Sequence, residues 1–375
     1  MNVDIGCYYF PNYHSGDPRN EAQHGHGWSE WEVVRNAVPR FPGHFQPQVP
    51  LHGYSDEKDP AVMEEKIAEA ADAGIDFFIF DWYYYDDGPF LHRALEEGFF
   101  GARNRGRLKF CTMWANHDWT DIHPITTYDD PPLLYPGKVG RATFEKAAQI
   151  HIERYFPRPE YYTVDGAKYF SVYSLHKLIE SFGSAEETRR ALADFRIAVK
   201  AAGFRDLHLN AIIWGNPLLP GEKQQIDPAS LAQECGFDST GSYVWAHHIS
   251  GEGRQTPWEN TCRKYLDAWR EIDRTSPLEY FPNLTVGWDA SPRVSPFLDW
   301  NRGKGYPFGG AMVGRTPEKF EKALLEYLRR ARQSRSKHKI ITLNSWNEWT
   351  EGSYLEPDTR FGNGYLEALK RVLRG

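Results

Sequence analysis

The chain has 375 residues, 41% of them hydrophobic, and a formal net charge of −7. That size suits one large α/β domain over 1–375 rather than a minimal fold. The acidic balance argues against non-specific nucleic-acid binding and offers no basic face to an anionic membrane. No apolar run approaches the roughly 18 residues of a membrane span.

Four separated cysteines (Cys7, Cys111, Cys235, Cys262) contain no CxxC pair. That pattern fits reduced thiols rather than a disulfide scaffold or a zinc site. With a first strand that begins at once and no charged leader, it predicts a cytoplasmic protein. Aromatic residues make up 15% of the chain, including 13 Trp and 21 Tyr. Each Trp and Tyr brings an N–H or O–H that must be satisfied, so a core alone rarely needs so many. Either the core is aromatic-rich, or ring faces are kept for stacking on the C–H faces of sugars.

Strand-like and helix-like runs alternate in chain order. The first strand is predicted at Asp4–Phe10, followed by a long loop rich in His, Trp, Pro and Gly. A helix over Pro60–Ala73 has Pro near its start and a Gly74 stop. Ile75–Tyr85 is nearly continuous in apolar residues, as a strand buried on both faces is. Helices follow at 90–102, Arg141–Tyr155, Ala185–Ala202, Pro228–Cys235, Trp258–Asp273, Pro317–Ser334 (with Thr316 as N-cap) and Gly364–Leu373. The intervening strands are Leu108–Trp114, Tyr169–Tyr173, Leu207–Trp214, Ser239–Trp245, Leu284–Trp288 and Ile340–Ser345. Eight strands, each followed by a helix, predict a single (β/α)8 TIM barrel with long loops after the strands. An open doubly wound sheet is the alternative, disfavoured because no GxGxxG follows the first strand.

The C-terminal ends of barrel strands form the catalytic face. Here those ends carry Tyr9; Asp81, Trp82 and Tyr83; Trp114, Asn116 and His117; Trp214; Tyr243 and Trp245; Trp288; and Asn347, Glu348, Trp349 and Glu351. Aromatics with carboxylates or carboxamides at most ends describe a pocket that stacks on rings and bonds hydroxyls, so the predicted partner is a carbohydrate. Trp31, in the first loop, joins this substrate-binding set. Asp81 reads as a third pocket carboxylate or a structural anchor, and His117 and Asn116 as hydroxyl contacts or structural residues.

Glu348 and Glu351 are the predicted catalytic pair. Paired carboxylates are the apparatus of glycoside hydrolysis. In an ideal strand they would face opposite ways, because their separation is odd. They share a pocket only if the strand breaks near Asn347 into a helical turn, with which Gly352 is consistent. The histidines of the first loop lack metal-ligand spacing such as HExxH. No metal and no cofactor is predicted, and neither a GxSxG elbow nor a Walker A loop occurs.

The run from Trp346 to Asp358 resembles the WNEWxEGxxLEP signature of the WbsX-like proteins, a bacterial group related to glycoside hydrolase family 99, the endo-α-mannosidases. Tyr8-Tyr9-Phe10-Pro11-Asn12-Tyr13, Gly27-Trp28-Ser29-Glu30-Trp31, Phe45-Gln46-Pro47 and Phe80-Asp81-Trp82-Tyr83 are similar to the same group. The resemblance implies a (β/α)8 barrel and a retaining hydrolase acting on an α-mannoside-like linkage, of mannose or rhamnose type, in a poly- or oligosaccharide. By the same resemblance Glu348 is the base that deprotonates the sugar's own 2-hydroxyl, which forms a 1,2-anhydro sugar, and Glu351 is the acid/base. The alternative it carries is a glycosyltransferase of polysaccharide (O-antigen type) biosynthesis. The lack of a DxD-type motif and of a nucleotide-phosphate loop counts against that alternative. A non-catalytic carbohydrate-binding barrel is the third reading.

Overall fold

The computed structural model describes residues 3–374. Strand β1 (Asp4–Tyr9) pairs in parallel with β2 (Phe77–Tyr85), and the sheet continues through β3 (Lys109–Trp114), β4 (Ala167–Val172), β5 (Leu207–Ile212) and β6 (Ser239–Gly241). β7 (Glu279–Phe281) pairs with β6, while β8 (Asn283–Thr285) pairs with β9 (Ile340–Asn344), which returns to β1. The result is a nearly closed barrel of nine parallel strands with helices between, in agreement with the predicted barrel architecture. Nine strands stand where eight were expected because Pro282 divides the seventh. Proline has no N–H to give to the ladder, although its carbonyl still accepts from the Thr342 N–H at 2.9 Å.

Local signals place several helices well. Pro60–Ala73 is capped by the Asp59 side chain and ends at Gly74, whose φ of 101° suits only glycine. Thr316 caps Pro317–Gln333 through the Lys319 N–H. Elsewhere the structure differs. Gly88–Phe90 folds back antiparallel on the end of β2, and the expected helix follows over residues 93–101, with a π-helical centre at Ala94–Phe99. Ser174 caps an unpredicted helix, Leu175–Phe182, and the first loop contains short helices at Pro18–His24 and Trp31–Arg35.

Strand period decides what faces the barrel interior. Along β2, Phe80 and Trp82 point to the helix layer, where Phe80 packs on Phe99 and the Trp82 indole donates to the Tyr155 hydroxyl at 3.2 Å. Asp81 and Tyr83 point inward. All four cysteines are free and buried. Among the described residues no helix is long and apolar enough to cross a membrane.

Candidate active site

The stretch after β9 breaks from strand geometry earlier than its sequence suggests. β9 stops at Asn344, and the Asn344–Ser345 peptide is cis. Asn347 and Glu348 then pair antiparallel with Ser353 and Tyr354. Trp349–Glu351 makes one 3-10 turn, closed by Gly352 at φ 62°. Ser345 pins this hairpin: its hydroxyl donates to the Ser353 carbonyl at 2.7 Å and accepts from the Glu348 N–H at 3.0 Å. Glu348, which precedes the turn, and Glu351, which ends it, both line one cavity.

That cavity contains about 630 Å³ not filled by protein atoms, part of it open to solvent. Glu348 is 2% exposed. Its Oε1 accepts from Arg293 Nη2 at 3.0 Å, and its Oε2 lies 3.1 Å from the Tyr243 hydroxyl. Burial and the neighbouring Glu351 raise the Glu348 carboxyl well above the carboxylate range, against the pull of Arg293. Glu351 accepts instead from the Tyr306 hydroxyl at 2.6 Å. The backbone N–H of Asp289 donates to the Glu351 carbonyl at 2.5 Å, fixing the turn to the loop after β8. Asp289 is held in turn by Gln46 Nε2 at 2.8 Å and His44 Nε2 at 2.7 Å. Burial works to raise the Asp289 carboxyl, but the hydrogen bonds from His44, Ser291 and Gln46 bring it below its ordinary value.

Arg293 is 5% exposed and joins three groups. Besides Glu348, Nη2 lies 3.1 Å from Glu30 Oε1 and 3.1 Å from Thr350 Oγ1. Glu30 also accepts from Thr350 Oγ1 at 2.6 Å and from Asn12 Nδ2 at 2.5 Å. Burial lifts the Glu30 carboxyl, with Arg293 opposing. A buried guanidinium between two carboxylates gives the site its positive centre. Among the described residues no cluster of three or more His, Cys, Asp or Glu side chains is arranged to hold a metal ion.

Of the residues expected in the pocket, Asp81, Tyr83, His117, Tyr243, Trp288, Glu348 and Glu351 line the cavity. The others are placed elsewhere. Tyr9 packs on Phe80 under Lys66. The indoles of Trp31, Trp82, Trp114, Trp214 and Trp245 donate to Ser55 O, Tyr155 Oη, Tyr84 O, Lys223 O and Asn283 O. Asn116 clamps the Ser174 backbone with both ends of its amide. Asn347 does the same to Phe10, at 2.8 and 2.7 Å. Trp349 stacks on Tyr354 at 3.7 Å and donates to Glu356 Oε2 at 2.6 Å. Buried and absent from the cavity lining, with the indole and amide N–H groups of the Trp and Asn side chains used internally, these nine side chains support the pocket and do not line it.

The aromatic wall comes instead from Phe10, Trp119, His123 and Tyr173 together with Tyr83 and Trp288. Burial and the charge of Arg293 keep His123 well below the histidine range, and burial lowers His117 as well. Arg293 and Tyr306, which hold the two glutamates, carried no signal in the sequence: Arg293 ends a single 3-10 turn, Ser291–Arg293, and Tyr306 lies farther along the same connection, neither within a motif. A second hollow of about 840 Å³ adjoins the first at Leu218 and Trp288 and is bordered by Tyr306.

Comparison with known proteins gives three results. The family model described as "Glycosyltransferase WbsX" matches residues 5–369. An "Uncharacterized protein WxcX" of Xanthomonas campestris pv. campestris is 28% identical over 390 residues, covering 100% of this chain and 50% of the relative. The chain therefore spans about half the length of the curated relatives it matches. Among solved structures, a GH99 endo-alpha-mannosidase of Bacteroides thetaiotaomicron is similar with a TM-score of 0.58 at 15% identity, covering 100% of this chain and 96% of that one. A "Glycoside hydrolase-like protein" is similar with a TM-score of 0.61 at 16% identity, with 100% and 94% covered. At such identities the likeness establishes a glycoside hydrolase-like barrel fold.

Proposed function

The chain belongs to the WbsX glycosyltransferase family, and from that premise we propose that it is a retaining glycoside hydrolase acting on an α-mannoside-like linkage, of mannose or rhamnose type, in a poly- or oligosaccharide. The observation that supports this reading is that Glu348 and Glu351 line the same cavity, with different partners for each. Glu348 sits against the Arg293 guanidinium, which favours the ionised form a base needs, while burial raises its affinity for a proton. Glu351 faces the Tyr306 hydroxyl.

In this mechanism Glu348 takes the proton of the sugar 2-hydroxyl. The freed oxygen attacks the anomeric carbon, the bond to the leaving oxygen breaks, and Glu351 protonates that oxygen. The product of this half is a 1,2-anhydro sugar. Glu351 then removes a proton from water, the water oxygen opens the strained ring at the anomeric carbon, and Glu348 returns its proton to the 2-oxygen. Two displacements at one carbon leave its configuration unchanged, without the carboxylate nucleophile of the common retaining scheme.

The test is incubation with a panel of mannose- and rhamnose-containing polysaccharides, with product analysis. Glu348→Gln and Glu351→Gln are each expected to lower turnover by about 10²–10⁴-fold while thermal unfolding stays near wild type. Full activity in either variant would sink the assignment. The family description favours a second reading, a glycosyltransferase of polysaccharide biosynthesis. Transfer from a nucleotide sugar, measured beside the hydrolysis panel, would decide for it.

A further inference from the structure

The hydroxyl of Tyr243 lies between two carboxyl groups, 2.9 Å from Asp81 Oδ2 and 3.1 Å from Glu348 Oε2. A phenol has one hydrogen to donate, and an ionised carboxylate has none. Both contacts can be hydrogen bonds only if one of the two acids carries a proton. Burial pushes the Tyr243 phenol further from ionisation, so the hydroxyl keeps its own hydrogen.

The surroundings decide which acid holds the extra proton. Glu348 has the Arg293 guanidinium at 3.0 Å. Asp81 meets the Tyr243 hydroxyl, and its Oδ1 is buried without a hydrogen-bond partner. Besides Tyr243, the groups bearing on Asp81 are the carboxyls of Glu351 and Glu348, and neither is a cation. A charge belongs beside the cation, and the neutral form belongs where no cation compensates it.

We propose that Asp81 is a neutral carboxylic acid that donates to Tyr243, so that Tyr243 in turn donates its single hydrogen to the Glu348 carboxylate. Asp81 is then a positioning residue: it acts on Glu348 through Tyr243 and fixes which way the Glu348 carboxylate faces. Its Oδ1 is left as a neutral carbonyl oxygen, buried without a partner, where a charge would go uncompensated. Burial raises the Asp81 carboxyl well above its ordinary value, consistent with this arrangement. The groups bearing on the chain are Glu351 beside Asp81, and Arg293, Glu351 and Glu30 beside Glu348. The inference rests on the reading of Glu348 as the base, but the proton's location can be measured without a substrate.

The experiment is difference infrared spectroscopy at neutral pH on the intact protein, comparing wild type with Asp81→Asn and with Glu348→Gln. The expected result is a carbonyl band of a protonated carboxylic acid that disappears in Asp81→Asn. No such band in the wild type, or a band that survives Asp81→Asn and disappears in Glu348→Gln, overturns the proposal. On any glycan the wild type cleaves, Asp81→Leu should lower kcat about 10- to 100-fold. Asp81→Asn, whose amide can donate to Tyr243 as the neutral acid does, should recover most of that loss. Equal losses in the two variants would contradict the neutral-acid role. If no glycan is cleaved, the functional reading fails while the infrared result still stands or falls by itself.

Discussion

Arg293 places a buried positive charge against Glu348 and Glu30. Burial and the neighbouring Glu351 favour the protonated form of Glu348, and the guanidinium at 3.0 Å is the group that opposes them. A base is active only when deprotonated. In kcat/KM against pH, activity should therefore fall, as pH is lowered, through a value well above the ordinary carboxylate range. Replacing the cation by Arg293→Met should move this acid limb to higher pH and lower the plateau. Arg293→Lys should leave the limb nearer wild type, because the charge is kept, yet still lose rate, because a point charge cannot serve Glu30, Thr350 and Glu348 together. An acid limb that stays put in Arg293→Met would show that Arg293 does not control Glu348. Neither Arg293 nor Tyr306 was legible in the sequence, since a loop arginine or tyrosine becomes a partner only when the fold brings separate segments together.

The hairpin that carries Glu348 and Glu351 is fastened to the barrel by a buried network. Lys66, on the Pro60–Ala73 helix, donates to Glu57 Oε1 at 2.7 Å and to Glu356. Glu57 also accepts from Asn347 at 2.8 Å, and Glu356 from the Trp349 indole. Burial works against the Lys66 charge, but Glu356 and Glu57 together hold it above its usual range. One ammonium serves two carboxylates, and burial together with the charge of Glu356 outweighs Lys66 to push Glu57 up to about 7. Lys66→Met should cost about 3–5 kcal/mol by stranding two buried acids, read by urea unfolding. Because the folded Glu57 binds its proton more tightly than the unfolded chain does, its contribution to stability is complete below about 4.5 and is lost as pH rises through about 7. Glu57→Gln should flatten stability against pH in that window, and an unchanged slope would contradict this account.

Elements marked by local chemistry were legible. The Pro60–Ala73 helix announces itself with a cap, a proline and a glycine stop, and the NEWxEG run is contiguous. The facing of strand residues was not legible, because strands buried on both sides lack the polar and apolar alternation that reveals an interior face. Asp81 is the exception. One acid in the apolar run of β2 marks the inward face, so Tyr83 follows it inward and Trp82 turns outward.

At the scale of the whole molecule, the barrel supplies one aromatic cavity and, past Trp288 and Leu218, a second hollow beside it. Tyr306 borders the second hollow and bonds Glu351, the proposed donor of a proton to the leaving group. The leaving side of the substrate therefore has room beyond Trp288. Trp288→Ala should raise KM for an oligosaccharide by about 3- to 10-fold, and change it less for an aryl glycoside of the same sugar. An equal effect on both would remove the second hollow from substrate binding. The barrel count was readable from alternating strand and helix patterns, whereas the division of the seventh strand at Pro282 was not, because Leu284–Trp288 alone was read as that strand. The central claim, retention through two displacements at the anomeric carbon, is tested most directly by following with proton NMR the first anomer released from the glycan that the wild type cleaves. The α configuration of the substrate should be present in the first-formed sugar, before mutarotation, and Glu351→Gln should release it about 10²–10⁴-fold more slowly. First appearance of the β anomer would contradict it.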